Sequence, residues 1–174
     1  MAAGLATVLV VGVIVASTLL GDSDDAGGDD QAAPTSTQTR TGPYALVAVD
    51  APGAADPGCT TLIAALPKEL PNKGGVLKRL ELADPAPPAA AAWAGDRGEP
   101  VVLRCGLAKP AELTPTAQLK LVSTVNWLPI EGAGAFTWYT VDRPVYIALT
   151  VPDGTGTGAI QVMSETIASA LPVT

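Results

Sequence analysis

The fold is decided by residues 118–151, QLKLVSTVNWLPIEGAGAFTWYTVDRPVYIALTV. Four short runs in this stretch are rich in Val, Ile, Thr and aromatic residues, and each is bounded by Pro or Gly, a pattern typical of β-strands. A hairpin turn is predicted at 131–134 and another short connection at 142–144. The segment therefore predicts an antiparallel meander, with strands over 118–125, 127–131, 135–141 and 145–151.

The flanking segments predict helices and further strands around this meander. Asp56 and Pro57 are suited to the cap and the first residue of a helix over 57–69. Ile160, Met163, Ile167 and Leu171 form the apolar stripe of a final helix over 159–171. The remaining predicted elements are strands over 44–50, 76–82 and 100–105 and a short helix over 89–93. This order predicts an α+β domain, a mainly antiparallel sheet with two or three helices packed on one face.

The N-terminal segment predicts a membrane anchor. Residues 2–20 carry no charge and would span about 29 Å as a helix, close to the hydrocarbon thickness of a bilayer. The expected organisation is a single-pass transmembrane helix over 1–21, a flexible tether rich in Asp, Gly, Ser and Thr over 22–42, and one domain over 43–174. A cleaved secretory signal and a buried core helix are the alternatives for the apolar run.

Two cysteines indicate the compartment of the domain. Cys59 and Cys105 are the only cysteines in the chain, and two cysteines outside an anchor indicate one disulfide in an oxidising compartment. Such a bond would join the start of a helix to the end of a strand. Two reduced, buried thiols are the alternative. We therefore expect residues 22–174 to lie on the extracytoplasmic side of the cell membrane.

The composition argues against several classes of function. The chain has no histidine, which removes the commonest general base and metal ligand, and no metal or cofactor is expected. The domain carries twelve acidic and nine scattered basic residues, so it is a poor partner for nucleic acid. Glu131 and Asp142, at the ends of neighbouring predicted strands, are the remaining candidate catalytic pair. The alternative is that Glu131 is a residue on the rim of the sheet and Asp142 a residue of a turn. We expect a protein that is not an enzyme.

A few side chains are candidates for contact with a partner or ligand. Arg143, beside Asp142, has the geometry to bind a carboxylate or phosphate, and an intramolecular salt bridge that fixes the turn is the alternative. Trp138 and Tyr139 are adjacent on one predicted strand, so they face opposite sides of the sheet. Together with Trp127 they are candidates for stacking on a sugar or anchoring an interface, with core packing as the alternative. Arg104, in an apolar strand, is expected to be paired and partly buried.

Several segments together resemble the actinobacterial domain of unknown function 3515 family. They are ALPKEL after Cys59, AAAAWAG, VVLRCG, the TAQL to VNWLPIEG region and TWYTVDRPVYIALTVP. The resemblance implies an N-terminal membrane anchor, one small extracytoplasmic domain over about 43–172, and a bond between Cys59 and Cys105. It implies an actinobacterial cell envelope as the setting and carries over no activity. Members often have basic residues before the anchor, and this chain has none.

These observations favour a membrane-anchored, extracytoplasmic interaction module. The expected partners are the lipid bilayer, through residues 2–20, and an envelope membrane protein of which this chain would be an accessory subunit. A module that binds cell-wall glycan is the alternative, and a hydrolase of unrecognised type is a third hypothesis.

Overall fold

A computed structural model describes residues 42–95 and 98–174. In this part of the chain one helix is followed by eight strands and then by a second helix, an α+β order. The helices are α1 (Pro57–Ala65) and α2 (Gly158–Ala170). The strands are β1 (Glu69–Asn72), β2 (Gly75–Arg79), β3 (Ala90–Ala94), β4 (Val101–Leu107), β5 (Lys120–Val122), β6 (Val125–Gly132), β7 (Ala135–Thr140) and β8 (Tyr146–Pro152).

The eight strands form one sheet, and all its neighbouring strands are antiparallel. The order is β1-β2-β3-β4-β8-β7-β6-β5, so β4 and β8 lie at the centre. The strands β1 and β5, at opposite edges, both contact α2. The sheet therefore curls around this helix, as the twist of antiparallel strands allows.

Side chains alternate between the two faces of the sheet. The inner face packs against the helices and contributes Leu103, Trp127, Ile147 and Leu149 to a fully buried core. The apolar stripe predicted on the last helix, from Ile160 to Leu171, is buried against this face. The outer face, on the other side of β4, β6, β7 and β8, carries the side chains from which the candidate site is built.

Helix α1 begins as predicted and ends earlier than predicted. The Asp56 carboxylate accepts a hydrogen bond from the Gly58 N–H at 2.7 Å, and Pro57 is the first helical residue. The helix ends because Pro67 forces the preceding residue, Leu66, out of the helical region to a ψ of 137°. The prediction of helix to residue 69 was therefore wrong, since Glu69–Asn72 instead pairs with β2 as strand β1.

The short helix predicted over 89–93 is also wrong, because this segment is strand β3. Ala90–Ala94 pairs with β2 on one side and with β4 on the other. Ala91 and Ala92 are buried on opposite faces. Alanine has a high helix propensity, but its small side chain fits a strand between two neighbours, and the ladder on both sides outweighs the local preference.

The strand predicted over 44–50 is reduced to a single bridge between Tyr44 and Leu82. Residues 45–50 pass the outer face near the sheet centre, where β4 already has two neighbouring strands and offers no free edge. The strand predicted over 118–125 is divided by a turn at Ser123 and Thr124, which both have positive φ values of 41° and 66°. The part before this turn is β5, and the part after it begins β6.

The meander, the hairpin at 131–134 and the α+β class are confirmed. The predicted strand over 76–82 corresponds to β2, which ends at Arg79, and the strand over 100–105 corresponds to β4. Within the described residues, neither helix has the length and apolar character to cross a bilayer. The anchor and nearly all of the tether lie outside the described residues, so these assignments and the domain boundaries stay predictions.

Candidate functional site

The disulfide and a β-bulge fix the centre of the sheet. Cys59 in the first turn of α1 is bonded to Cys105 in β4, with 5.6 Å between their Cα atoms, which confirms the predicted pair. The register of β4 against β8 shifts between Cys105 and Leu107, where Gly106 has a φ of 82°. A Cβ at Gly106 would overlap the backbone of Gly53, whose N–H donates to the Gly106 carbonyl at 2.8 Å. The chain before α1 is thus held against the strand that carries Arg104.

A groove of about 460 Å³ lies on the outer face of the sheet beside this bulge. Its floor includes Arg104 of β4, Tyr139 of β7 and Thr150 of β8, and its walls are residues 49–50 and 107–112. The register places Arg104 beside Ala148, and Ala148 beside Tyr139, in one row across three strands. The small alanine between the two long polar side chains leaves room above it. We call this feature the outer groove.

Arg104 is half-buried at the floor of the outer groove and has few polar contacts. Its Nη2 donates to the Val47 carbonyl at 3.1 Å, while its buried Nε has no hydrogen-bond partner within the described residues. Among the described residues it forms no salt bridge. Burial lowers the pKa of the guanidinium, and the tyrosines Tyr44 and Tyr139 act in the opposite direction. The expectation of a partly buried arginine is confirmed, but the expected acidic partner is absent from the described part of the chain.

Tyr139 gives the outer groove a second polar group. Burial raises the pKa of its hydroxyl, the nearby Glu112 adds to this effect, and Arg104 lowers the pKa. The hydroxyl is therefore protonated at neutral pH and can donate a hydrogen bond. The walls of the outer groove end in three exposed charged side chains, which we call the rim: Glu112, Asp50 and Lys109. The floor thus carries one cation and one neutral donor, and the rim has two acids and one base.

Asp142 and Arg143 are bonded within the domain. Arg143 is 7% exposed, and its guanidinium donates to the carbonyls of Asp142 at 3.1 Å and Thr124 at 3.0 Å. The Asp142 carboxylate lies 3.6 Å from Arg143 and accepts hydrogen bonds from the backbone and side-chain nitrogens of Asn126 at 2.9 and 3.1 Å. This is the intramolecular alternative that the sequence left open. A partner contact for this pair stays a prediction, although little of the Arg143 side chain is accessible.

The predicted aromatic candidates do not form one cluster. Trp127 is fully buried on the inner face, where its indole N–H donates to the Ser164 hydroxyl at 2.9 Å. Trp138 and Tyr139 face opposite sides of β7, as expected, so Tyr139 lies in the outer groove and Trp138 packs against the core. Trp138 also lines a pocket of about 240 Å³ with Phe136, which is 38% exposed. We call this second feature the aromatic pocket.

Neither concave site has a direct signal in the amino-acid sequence. Lys109, Glu112 and Asp50 reach the outer groove from connections, and their spacing in the chain matches no binding motif. Phe136 and the 152–157 loop meet in the aromatic pocket because β7 and β8 are paired. The described residues hold no cluster of three metal-ligating side chains. Glu131 and Asp142 lie at opposite ends of the β6–β7 pair, so the hypothesis of a carboxylate pair has no geometric support.

Comparison with known proteins identifies a family. The model of the family described as protein of unknown function (DUF3515) matches residues 3–174. No curated protein and no solved structure matches the chain. The match covers nearly the whole length, so the chain belongs to the DUF3515 family.

Proposed function

We propose that this member of the DUF3515 family is an extracytoplasmic interaction domain that holds a segment of an envelope membrane protein in the outer groove. The observation that carries the proposal is the Arg104 guanidinium, half-buried on the groove floor and without a described acidic partner. Buried charges in folded proteins are ordinarily paired, because an unpaired charge loses hydration without compensation. A groove that contains such a charge is suited to a partner that supplies the missing group.

The surroundings of the groove favour a protein segment as its occupant. Val47 and Val49, beside the groove, are 78% and 48% exposed. Exposed apolar side chains next to a polar centre are typical of surfaces that become covered by a protein. A wholly polar solute would leave these valines in water, whereas a peptide segment would cover them while its polar group reaches Arg104.

The setting of this function is the outer side of the cell membrane. Residues 2–20 anchor the chain, and residues 22–42 tether the domain, which can then meet other membrane proteins close to the bilayer. The disulfide between Cys59 and Cys105 supports an oxidising compartment. We assign the chain the role of an accessory subunit rather than of an enzyme. Among the described residues, the charged group on the groove floor is an arginine, which binds anions but is a poor acid or base near neutral pH.

The test places a photo-crosslinking residue in the outer groove of the full chain, in the membranes of the cells that produce it. Benzoylphenylalanine replaces Glu112, an exposed glutamate of the groove wall. The matched control replaces Glu165, an exposed glutamate on α2, on the opposite side of the sheet. We expect a discrete crosslinked species of defined mass from position 112 and none from position 165. Equal crosslinking from both positions, or none from position 112, would contradict the proposal.

The aromatic pocket supports glycan binding as a second candidate function. Phe136 and Trp138 lie with their ring centroids 6.5 Å apart, and the neighbouring lining includes Asp153, Thr155 and Thr157. Aromatic faces beside a carboxylate and hydroxyls are suited to a sugar ring. The test is cosedimentation of the purified chain with insoluble cell walls. Phe136→Ala should reduce binding severalfold, whereas Leu121→Ala, at another exposed apolar side chain, should not. No binding by the unaltered chain would exclude this candidate.

A further inference from the structure

We propose that Arg104 and Tyr139 form a recognition site for a single carboxylate, supplied by the partner segment that occupies the outer groove. This inference rests on the proposed function for the source of the carboxylate. The chemistry of the ligand is inferred separately, from the donors on the groove floor and the charges at the rim.

Arg104 has unused hydrogen-bonding capacity toward the outer groove. A guanidinium has five N–H donors, and the described residues supply one acceptor, the Val47 carbonyl at 3.1 Å. Its Nε is buried and finds no acceptor in the described part of the chain, so a ligand reaches the guanidinium at its Nη end. A carboxylate offers two acceptor oxygens and a negative charge, which match the planar guanidinium better than any neutral acceptor.

The strand that carries Arg104 is held rigidly. Arg104 precedes Cys105, whose disulfide joins β4 to α1, and β4 is paired on both sides over its central residues. The bond to Val47 holds the long side chain in one orientation. A guanidinium that is ordered before the ligand arrives loses less conformational entropy on binding, which favours affinity.

The charged side chains at the rim limit the charge of the ligand. Asp50 and Glu112 at the rim outnumber Lys109, so the rim is negative by one charge. An acid-rich segment would be repelled there, although salt weakens the repulsion between exposed charges. One carboxylate on an otherwise neutral segment can pass the rim and reach Arg104. Tyr139, a phenol that is protonated at neutral pH, is placed on the same floor as a second donor.

The test follows the N–H resonances of arginine Nε in the full chain, purified in mild detergent and labelled with nitrogen-15. The Arg104 resonance is assigned with the Arg104→Met variant. The probes are acetyl-Ala-Ala with a free carboxylate, the same dipeptide as its amide, acetyl-Ala-Glu-Ala-amide and inorganic phosphate, all at equal ionic strength. Arg143, bonded in the interior, and Arg79, exposed on β2, serve as internal controls.

We expect a saturable shift of the Arg104 resonance with at least one carboxylate peptide, with a dissociation constant of about 1–10 mM for so small a probe. The dipeptide amide should cause no shift, and the two control arginines should not respond. Tighter binding of acetyl-Ala-Ala would identify a chain terminus as the source of the carboxylate, and tighter binding of acetyl-Ala-Glu-Ala-amide would identify a glutamate side chain. The Tyr139→Phe substitution should weaken binding of the carboxylate peptide severalfold. Without a peptide, the Arg104 resonance of this variant should lie at the same position as in the unaltered chain.

Three results would overturn the inference: no shift with either carboxylate peptide, an equal shift with the amide, or tighter binding of phosphate. These results are separable from failure of the proposed function. Loss of carboxylate binding with a persistent crosslink from position 112 would refute the ligand chemistry alone. Carboxylate binding without any crosslink would keep the site and refute the protein partner.

Discussion

Two arginines of the domain, the buried Arg143 and the half-buried Arg104, predict different responses to the same substitution. Arg143 is bonded to two backbone carbonyls and lies 3.6 Å from a carboxylate, whereas Arg104 has one hydrogen bond and no described carboxylate partner. Methionine has a similar apolar stem and no charge, so Arg143→Met and Arg104→Met remove the guanidinium and largely keep the packing. The stability of each variant reports whether the charge serves the fold.

The magnitudes follow from these contacts. Removing Arg143 leaves the Thr124 carbonyl without its donor and the Asp142 carboxylate without its cation. Breaking a pair as little exposed as that of Arg143 and Asp142 costs about 3–5 kcal/mol. For a domain of this size that corresponds to a fall in Tm of about 10–20 °C. Removing Arg104 loses one hydrogen bond, worth about 1 kcal/mol, and also removes an incompletely solvated charge, which offsets the loss. Its Tm should therefore stay within about 4 °C of the original.

The assay is thermal unfolding of the full chain in mild detergent, followed by circular dichroism and by tryptophan fluorescence. Trp127 is buried against α2 and reports on the core in every variant. We expect a large loss for Arg143→Met and little change for Arg104→Met. If Arg104→Met were destabilised as much as Arg143→Met, Arg104 would be a structural residue. That result would refute the inference that its guanidinium serves to bind a ligand.

Three further predictions concern the residues around the outer groove. The bond between Cys59 and Cys105 joins residues 46 positions apart, so its reduction should lower the free energy of unfolding by about 4 kcal/mol. Alkylation of the denatured, unreduced chain should label neither cysteine, and labelling of both would refute the bond. Because the folded state raises the pKa of Tyr139, it holds that proton more tightly than the unfolded chain, so stability should fall as the pH rises above about 10. Urea unfolding of Tyr139→Phe should show a weaker fall, and equal slopes would contradict the assigned burial. Gly106→Ala should lower the free energy of unfolding by about 3 kcal/mol or more in urea titrations, since alanine is strained at this positive φ and its Cβ meets Gly53; an unchanged midpoint would refute the close approach.

The sequence predicted the meander and the last helix correctly because both carry a strong local signal. Strands β6, β7 and β8 are bounded by turn residues that suit their hairpins, and the stripe of α2 has the period of a helix. The Ala90–Ala94 strand was missed because alanine has no strand signal of its own, and only its two neighbours make it a strand. The local residue pattern therefore predicted the elements that local sequence determines. It failed for the element that is determined by pairing with neighbouring strands.

The outer groove could not be predicted because its parts come from distant positions in the chain. Arg104 and Tyr139 are 35 positions apart and become neighbours across β8 through the register of three strands. The absence of a described acidic partner for Arg104 is a property of packing, and a sequence does not reveal it. Conversely, Asp142, Arg143 and Pro144 are adjacent in the chain, so the sequence does predict their turn. The structure contains the intramolecular alternative, in which Asp142 and Arg143 are hydrogen-bonded within the domain.

The most direct test of the interaction-domain proposal is whether a companion chain is retained through Arg104. The full chain, tagged after Thr174, is extracted in mild detergent from the cells that produce it, in its original form and as Arg104→Met and Arg79→Met. Size and composition of the eluted material are then compared. The account predicts a stoichiometric companion that is retained by the original chain and by Arg79→Met, and lost from a folded Arg104→Met variant. Elution of the original chain alone, or equal retention by all three, would contradict it.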